Sequence, residues 1–387
     1  MQTSATMTAA LGRAGLAGVP RKPIPQLPEA AAVGAVVTDT ELIELYRLMT
    51  AVRHLDQAAI AWQRQGILPA YAPELGQEAA QVGSALAMDT SRDFIFPTYR
   101  ELGVARAAGV DMVQYMSTHL ATWHGGLWDP AATHVAPIQA VVAGSVLHAV
   151  GWAHGQTLAA GGTGTAGAAP TGPAAGLNVA ITYLGDGASS QGDVHEAMNF
   201  AGVFKAPVVF FVQNNGWAIS VPTERQVAGG RVAARGAGYA IPALQVDGND
   251  AAAVLEATRR AVAHARAGHG PVIIEAMTYR RGPHATSDDP GRYRSLDAER
   301  ADGGADPLAR LRERIIDRGI ADAGALDALD ADAAREAEVV RAGVLALGPR
   351  PGAEMFDFVF TEPTDELLRQ KKRWKEESDW REESEHA

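Results

Sequence analysis

The sequence predicts an α/β fold, a mainly parallel sheet with helices on both faces. Three observations carry that expectation. Residues 177–184 and 206–212 are apolar runs of strand length, and residues 191–203 between them place Val194, Met198 and Ala201 on one helical face. A strand–helix–strand unit of this length makes a parallel crossover, right-handed by default. A second such unit follows, with strands at 241–246 and 271–279 around a helix at 251–267. Finally, Gly185-Asp186-Gly187 closes the first strand, and Asn214-Asn215 closes the second after 26 intervening residues. Both polar ends then share the carboxyl edge of one sheet, where open α/β sheets bind ligands.

The remaining elements follow from pattern. Leu42, Leu45, Tyr46, Met49, Val52 and Leu55 keep helical spacing in a region that begins at Asp39, and residues 76–88 form a second helix. Residues 94–97 are a short apolar segment running into Thr98-Tyr99-Arg100-Glu101, which is expected to open another helix. Residues 123–136, rich in Gly, Pro, His and Trp, read as a loop, and the small-residue stretch 144–158 as a helix. Residues 159–176 are almost wholly Ala, Gly, Thr and Pro, the composition of a flexible surface loop. Residues 280–295 are polar, the chain turns helical from Asp306, and it finishes in a charged tail at 376–387. With no internal repeat and no clean linker, the expectation is one α/β domain over 39–347. A flexible segment, 1–38, precedes it and a C-terminal extension, 348–387, follows.

Composition narrows the function. The 387 residues are 47% hydrophobic and 20% charged, ordinary for a globular protein. A net charge of −11 argues against a nucleic-acid surface. The absence of cysteine excludes disulfides, zinc–thiolate sites and cysteine nucleophiles. No apolar run approaches the length of a membrane span. The first 28 residues carry Arg13, Arg21 and Lys22 but no acid, as organellar transit peptides do. The same Ala, Gly and Arg bias runs through the whole chain, so a bacterial leader and a cytoplasmic location are expected, with the mitochondrial matrix as the alternative.

Asp186 and Asn215 offer hard oxygen donors, which suit Mg²⁺ or Ca²⁺. Gly185 and Gly187 permit close backbone approach at the start of a helix, a combination that favours phosphate. Taken alone, these residues also fit two ordinary turns, with Asn214-Asn215-Gly216 chosen for positive φ. Arg100, a cation beside an expected helix start, is unfavourably placed unless an anion lies nearby.

The GDG…NN pair resembles the thiamine diphosphate motif. Residues 75–83 (LGQEAAQVG), 96–101 (FPTYRE), 185–193 (GDGASSQGD), 199–207 (NFAGVFKAP), 213–220 (QNNGWAIS) and 282–293 (GPHATSDDPGRY) occur in matching order. Over 39–347 the chain is similar to the α subunit of the E1 component of 2-oxoacid dehydrogenase complexes, the pyruvate and branched-chain family. That resemblance implies a thiamine diphosphate-binding fold, with thiamine diphosphate and Mg²⁺ as cofactors. It makes Asp186, Asn215 and the backbone carbonyl of Trp217 the metal ligands, although the family usually has Tyr or Phe at that last position. It gives Gly185, Gly187 and Ala188 to the diphosphate, Tyr99 and Arg100 to its terminal phosphate, and Ala140 and Val142 to the aminopyrimidine. His284 points at the diphosphate and entry channel, and His124 lies near the active site; these are the two catalytic candidates.

The implied reaction is decarboxylation of a 2-oxoacid and reductive acylation of the lipoyl group of E2. A separate β subunit completes the site in an α₂β₂ assembly. Residues 191–193 and 282–284 lean toward pyruvate, whereas 287–289 and 246–250 resemble branched-chain relatives as well. Three features depart from the family. Gln213 stands where some branched-chain members have an arginine, residues 139–145 lack the Ser and Thr pattern of a potassium site, and the 159–176 loop is long. The rival readings are an acetoin dehydrogenase α subunit and a catalytically idle structural subunit. A nicotinamide enzyme is disfavoured because no glycine fingerprint follows an early strand.

Overall fold

Strands β2 (Ala180–Gly185) and β3 (Val208–Asn214) lie side by side at the centre of a five-stranded sheet. The computed structural model describes residues 36–121, 125–126, 128–161, 176–295, 306–348 and 350–385. The sheet order is β1-β2-β3-β7-β6, with β1 at Phe94–Phe96, β6 at Ala243–Asp247 and β7 at Val272–Met277, and every pair is parallel. A two-stranded hairpin, β4 (Trp217–Ala218) and β5 (Val221–Pro222), follows β3 directly. Register sets the site. Gly185 pairs with Gln213, so Asp186 and Asn214 leave the sheet at the same level.

Helices cover both faces, which is why the central strands are apolar almost throughout. Successive side chains alternate between the two layers. Ile181, Tyr183, Val209, Phe211, Val272 and Ile274 face a core shared with α1 (Asp39–Arg64), α2 (Glu78–Ala85) and α8 (Ala251–Arg266). Leu184, Val208, Phe210, Val212 and Ile273 face α6 (Gly144–Ala159) and α7 (Gly192–Phe204). Each such side chain contributes about 1.5–3 kcal/mol on burial.

A capping box starts α1. Thr38 Oγ1 accepts from Glu41 N at 3.3 Å, and Glu41 Oε2 accepts from Thr38 N at 2.8 Å. The short helices α3 (Leu102–Ala107), α4 (Met112–Ser117) and α5 (Pro130–Thr133) lie between β1 and α6 in the chain. Helices α9 (Pro307–Asp317) and α10 (Ala323–Ala346) pack against α1. Arg53 of α1 ties these layers, reaching Glu78 at 2.5 Å and Asp306, the cap of α9, at 2.9 and 3.0 Å.

Three expectations shift. Residues 98–101 do not open a helix. Glu101 accepts from the backbone N–H of its neighbour Thr98, holding a turn, and α3 begins only at Leu102. Within the stretch read as a loop, Val135 bridges in parallel to Ile95 of β1, and just beyond the two segments Gln139 bridges to Thr98. The charged tail belongs to a helix, α11 (Asp365–Glu385).

Gly76 fixes how the 71–75 segment meets the sheet edge. Its φ is +94°, and an added Cβ would stand 2.4 Å from the carbonyl oxygen of Tyr279. Gly76→Ala therefore combines backbone strain with a clash against main chain. The substitution should cost at least about 2 kcal/mol, read as a lower urea midpoint with an unchanged m-value. A midpoint equal to that of the unaltered chain would contradict this account.

Candidate active site

Four chain segments leave the carboxyl edge of the sheet and enclose one cavity of about 270 Å³. After β1 come Thr98, Tyr99, Arg100 and Glu101; after β2 come Asp186, Gly187 and Ala188; after β3 come Asn215 and Trp217; after β7 come Arg280 and His284. Val142 and Ala143 reach the cavity from the segment before α6.

Asp186 is 1% exposed. Its Oδ2 accepts from Thr223 Oγ1 at 2.6 Å and from Gln226 Nε2 at 3.0 Å. Burial pushes its carboxyl up, with the Thr223 and Gln226 bonds acting in the opposite direction. The two asparagines take different jobs. Asn214 is structural: its Nδ2 donates to Glu275 of β7 at 2.9 Å, and its Oδ1 accepts from Gly216 N at 3.2 Å. Asn215 lines the cavity, donating from Nδ2 to Gln77 Oε1 at 3.0 Å and accepting at Oδ1 from Trp217 N at 3.3 Å.

Arg100 is 6% exposed, and its guanidinium donates to the carbonyls of Pro73 and His284 and to His284 Nδ1. Arg280 is 1% exposed and donates to the carbonyls of Trp217 and Ile219 and to Tyr293 Oη. Among the described residues neither forms a salt bridge. Two buried guanidinium groups thus meet only neutral acceptors in the wall of one cavity. Carboxyls act on both from beyond contact distance, Asp186 and Asp288 on Arg280 and Asp56, Glu74 and Glu101 on Arg100. An anion entering the cavity would add direct pairing to two buried charges.

The contact with Arg100 also assigns the His284 tautomer. A guanidinium can only donate, so Nδ1, 3.2 Å away, is the acceptor and the proton sits on Nε2. Burial first, then Arg100 and Arg280, lower this imidazole to about 4. Asp288, which accepts from His284 N at 2.8 Å and from Tyr293 Oη, acts the other way without cancelling them.

The sequence-predicted residues Tyr99, Arg100, Val142, Gly185, Asp186, Gly187, Ala188, Asn215, Trp217 and His284 all line the cavity. Ala140 is exposed and stands outside the lining, and His124 lies outside the described residues. Sequence reasoning missed Gln77, Glu101, Ile219 and Arg280 in the wall, and Thr223 and Gln226 on Asp186. Gln77 and Glu101 fall inside quoted motifs, which is the only signal they gave.

The donor set suits a diphosphate with its metal. An oxygen-rich edge holds Asp186, Asn215 and the Trp217 carbonyl, whose bond from Arg280 at 3.3 Å uses one of its two lone pairs. Among the described residues no three His, Asp or Glu side chains converge as a metal cage, so phosphate oxygens and water would complete the shell. At Gly187 an added Cβ would come 2.7 Å from the Cβ of Ala218, so only glycine leaves that backbone accessible.

The family model for the dehydrogenase E1 component matches residues 46–342, a span that contains the whole cavity wall. The chain belongs to that family. A 3-methyl-2-oxobutanoate dehydrogenase subunit alpha of Mycobacterium tuberculosis is 40% identical over 334 residues, 86% of each chain. Pyruvate dehydrogenase E1 component subunits alpha of Staphylococcus aureus and Staphylococcus epidermidis are 39% identical over 285 residues. That match spans 73% of this chain and 72% of theirs. Membership makes this E1 chain an alpha-type subunit of a 2-oxoacid dehydrogenase, implies thiamine diphosphate as its cofactor, and implies a β-subunit partner.

His284 should remain neutral across the physiological range. Its folded pKa lies near 4, below the ordinary value of 6.5. Its contribution to stability is therefore fully present above pH 6.5 and is lost as pH falls toward 4. Histidine-selective NMR of the assembled protein, with His284→Gln to assign the signal, should show no titration of His284 between pH 8 and about 5.5. A midpoint near 6.5 would contradict the stated electrostatics.

Proposed function

We propose that this chain is the α half of an α₂β₂ E1 that decarboxylates a 2-oxoacid and reductively acylates the lipoyl group of E2, with Mg²⁺ beside the cofactor. The observation that carries the reading is the pair of buried guanidinium groups, Arg100 and Arg280, neither in a salt bridge among the described residues, in the wall of one cavity with Asp186 and Asn215. Asp186, Asn215 and the Trp217 carbonyl hold the metal. Tyr99, Arg100 and the amides at Gly187 and Ala188 hold the diphosphate. Thiamine diphosphate, once bound, supplies the electron sink for loss of CO₂.

His284 acts as a neutral Nε2–H donor, so it orients an oxygen without adding charge. His124, outside the described residues, stays a candidate on the family resemblance alone. Val142, 44% exposed, is the apolar side chain against the aminopyrimidine. A cytoplasmic location is part of the same reading; no helix among the described residues is long and apolar enough to cross a membrane.

The substrate reading leans to pyruvate on residues 191–193 and 282–284. Relatives named for 3-methyl-2-oxobutanoate and for pyruvate stand at 40% and 39% identity, which does not separate the two. The αβ assembly should release CO₂ from one of these acids, and the initial rates with each decide between them, pyruvate being expected to be faster. The α chain alone should show little turnover. Arg100→Met should weaken thiamine diphosphate binding by about 10–100-fold, the worth of a charge-assisted contact. An unchanged dissociation constant by calorimetry would remove Arg100 from the phosphate site.

A further inference from the structure

We propose that Gln77 is a positioning residue that orients the amide of Asn215, so that the oxygen and not the nitrogen is presented to the cation. The inference rests on the reading of Asn215 as a metal ligand and goes beyond it. An asparagine side chain has one acceptor end and one donor end of nearly the same shape, and only the acceptor can bind a cation. Something must select between them.

Gln77 is placed to do so. It is wholly buried, on the bend between Gly76 and α2, and its side chain makes no capping bond to its own helix. Instead it crosses to the end of β3, where Oε1 accepts from Asn215 Nδ2 at 3.0 Å. The nitrogen end of Asn215 is thereby committed to Gln77. Gln77 Nε2, also buried, has no hydrogen-bond partner among the described residues, although the residue lines the cavity. A buried donor left unsatisfied costs about 1–3 kcal/mol, so it marks a place where a ligand oxygen belongs.

The two ends of Gln77 act together. An anionic oxygen that accepts from Nε2 holds Oε1 against Asn215, and Oε1 in turn keeps the asparagine nitrogen turned away. Asn215 Oδ1, which accepts from Trp217 N at 3.3 Å with one lone pair, then offers the other to the metal. Turned over, Gln77 would donate to that oxygen and compete with the cation for it. Diphosphate and metal would therefore favour one another's binding through this side chain.

The test uses the αβ assembly and measures Mg²⁺ half-saturation at fixed thiamine diphosphate by calorimetry. Gln77→Met removes both ends and should raise the half-saturating Mg²⁺ concentration about 10–100-fold, the usual effect of losing an orienting partner behind a metal ligand. Gln77→Glu keeps an oxygen that accepts from Asn215 Nδ2 but has no donor. It should restore most of the metal affinity while leaving thiamine diphosphate binding weakened. Should Gln77→Met lose its fold by circular dichroism, Gln77→Ser is the substitute, since it is too short to reach Asn215. In an Asn215→Asp background there is no amide to orient, so removing Gln77 should shift the metal midpoint no further. Wild-type metal affinity in the Met and Ser variants, or equal impairment in the Glu and Met variants, would overturn the inference. Failure of the unaltered assembly to bind Mg²⁺ with thiamine diphosphate would overturn the metal-site reading instead.

Discussion

The site depends on the parallel register of two strands. Because Gly185 is opposite Gln213, Asp186 and Asn214 leave the sheet at one level, and Asn215, the next residue, follows at the same edge. A parallel sheet with both faces buried can hold that register only if each strand's side-chain alternation matches the layer it faces, since a one-residue slip would exchange the two cores. Phe211 toward α8 and Phe210 toward α7 enforce the match. The chemistry is thus set by packing several residues below it. Glu275 reinforces the arrangement by accepting from Asn214, from the backbone N–H groups of Val232 and Ala233, and from Gln245, all at 2.9–3.0 Å.

Behind Arg100 lies a second constraint. Asp56, Glu74 and Glu101 are buried carboxyls that organise backbone instead of pairing with the arginine. Asp56 accepts from Glu74 N and Tyr71 Oη, each at 2.8 Å, and Glu74 accepts from Leu102 N at 2.6 Å. Burial raises all three, Asp56 to about 6 and Glu74 well above the ordinary glutamate value. Arg100 acts on all three in the opposite sense, holding each carboxyl lower than burial alone would.

How much of this was legible depends on the distance over which each feature is encoded. Strands β2 and β3, helix α7 and the Asp186–Asn215 pair were readable because apolar runs and strand-end glycines are local signals. The division of labour between Asn214 and Asn215 was not readable, because it is decided by Glu275, 61 residues away in Asn214's case. Arg280 looked like one more cation in a polar stretch, yet it is among the most buried large side chains. Thr223 and Gln226 reach Asp186 only because the β4–β5 hairpin folds back over the sheet edge. The turn at 98–101 was misread as a helix start because its stabilising bond, from Thr98 N to Glu101, has the same spacing as a helix cap.

The rim of the cavity carries a last consequence. Val142 and Ile219 line it while 44% and 55% exposed, and Ile219 is held at φ +56°. A β-branched residue in that conformation is strained, and apolar side chains on an open rim lose the favourable burial available to them. Among the described residues nothing covers either side chain further. A partner surface laid over the rim would bury both side chains and enclose the polar wall in a medium of lower dielectric constant, where each fixed charge acts more strongly. Under the proposed function, this chain supplies the wall that binds charge, and the apolar rim is where a β subunit would close over it.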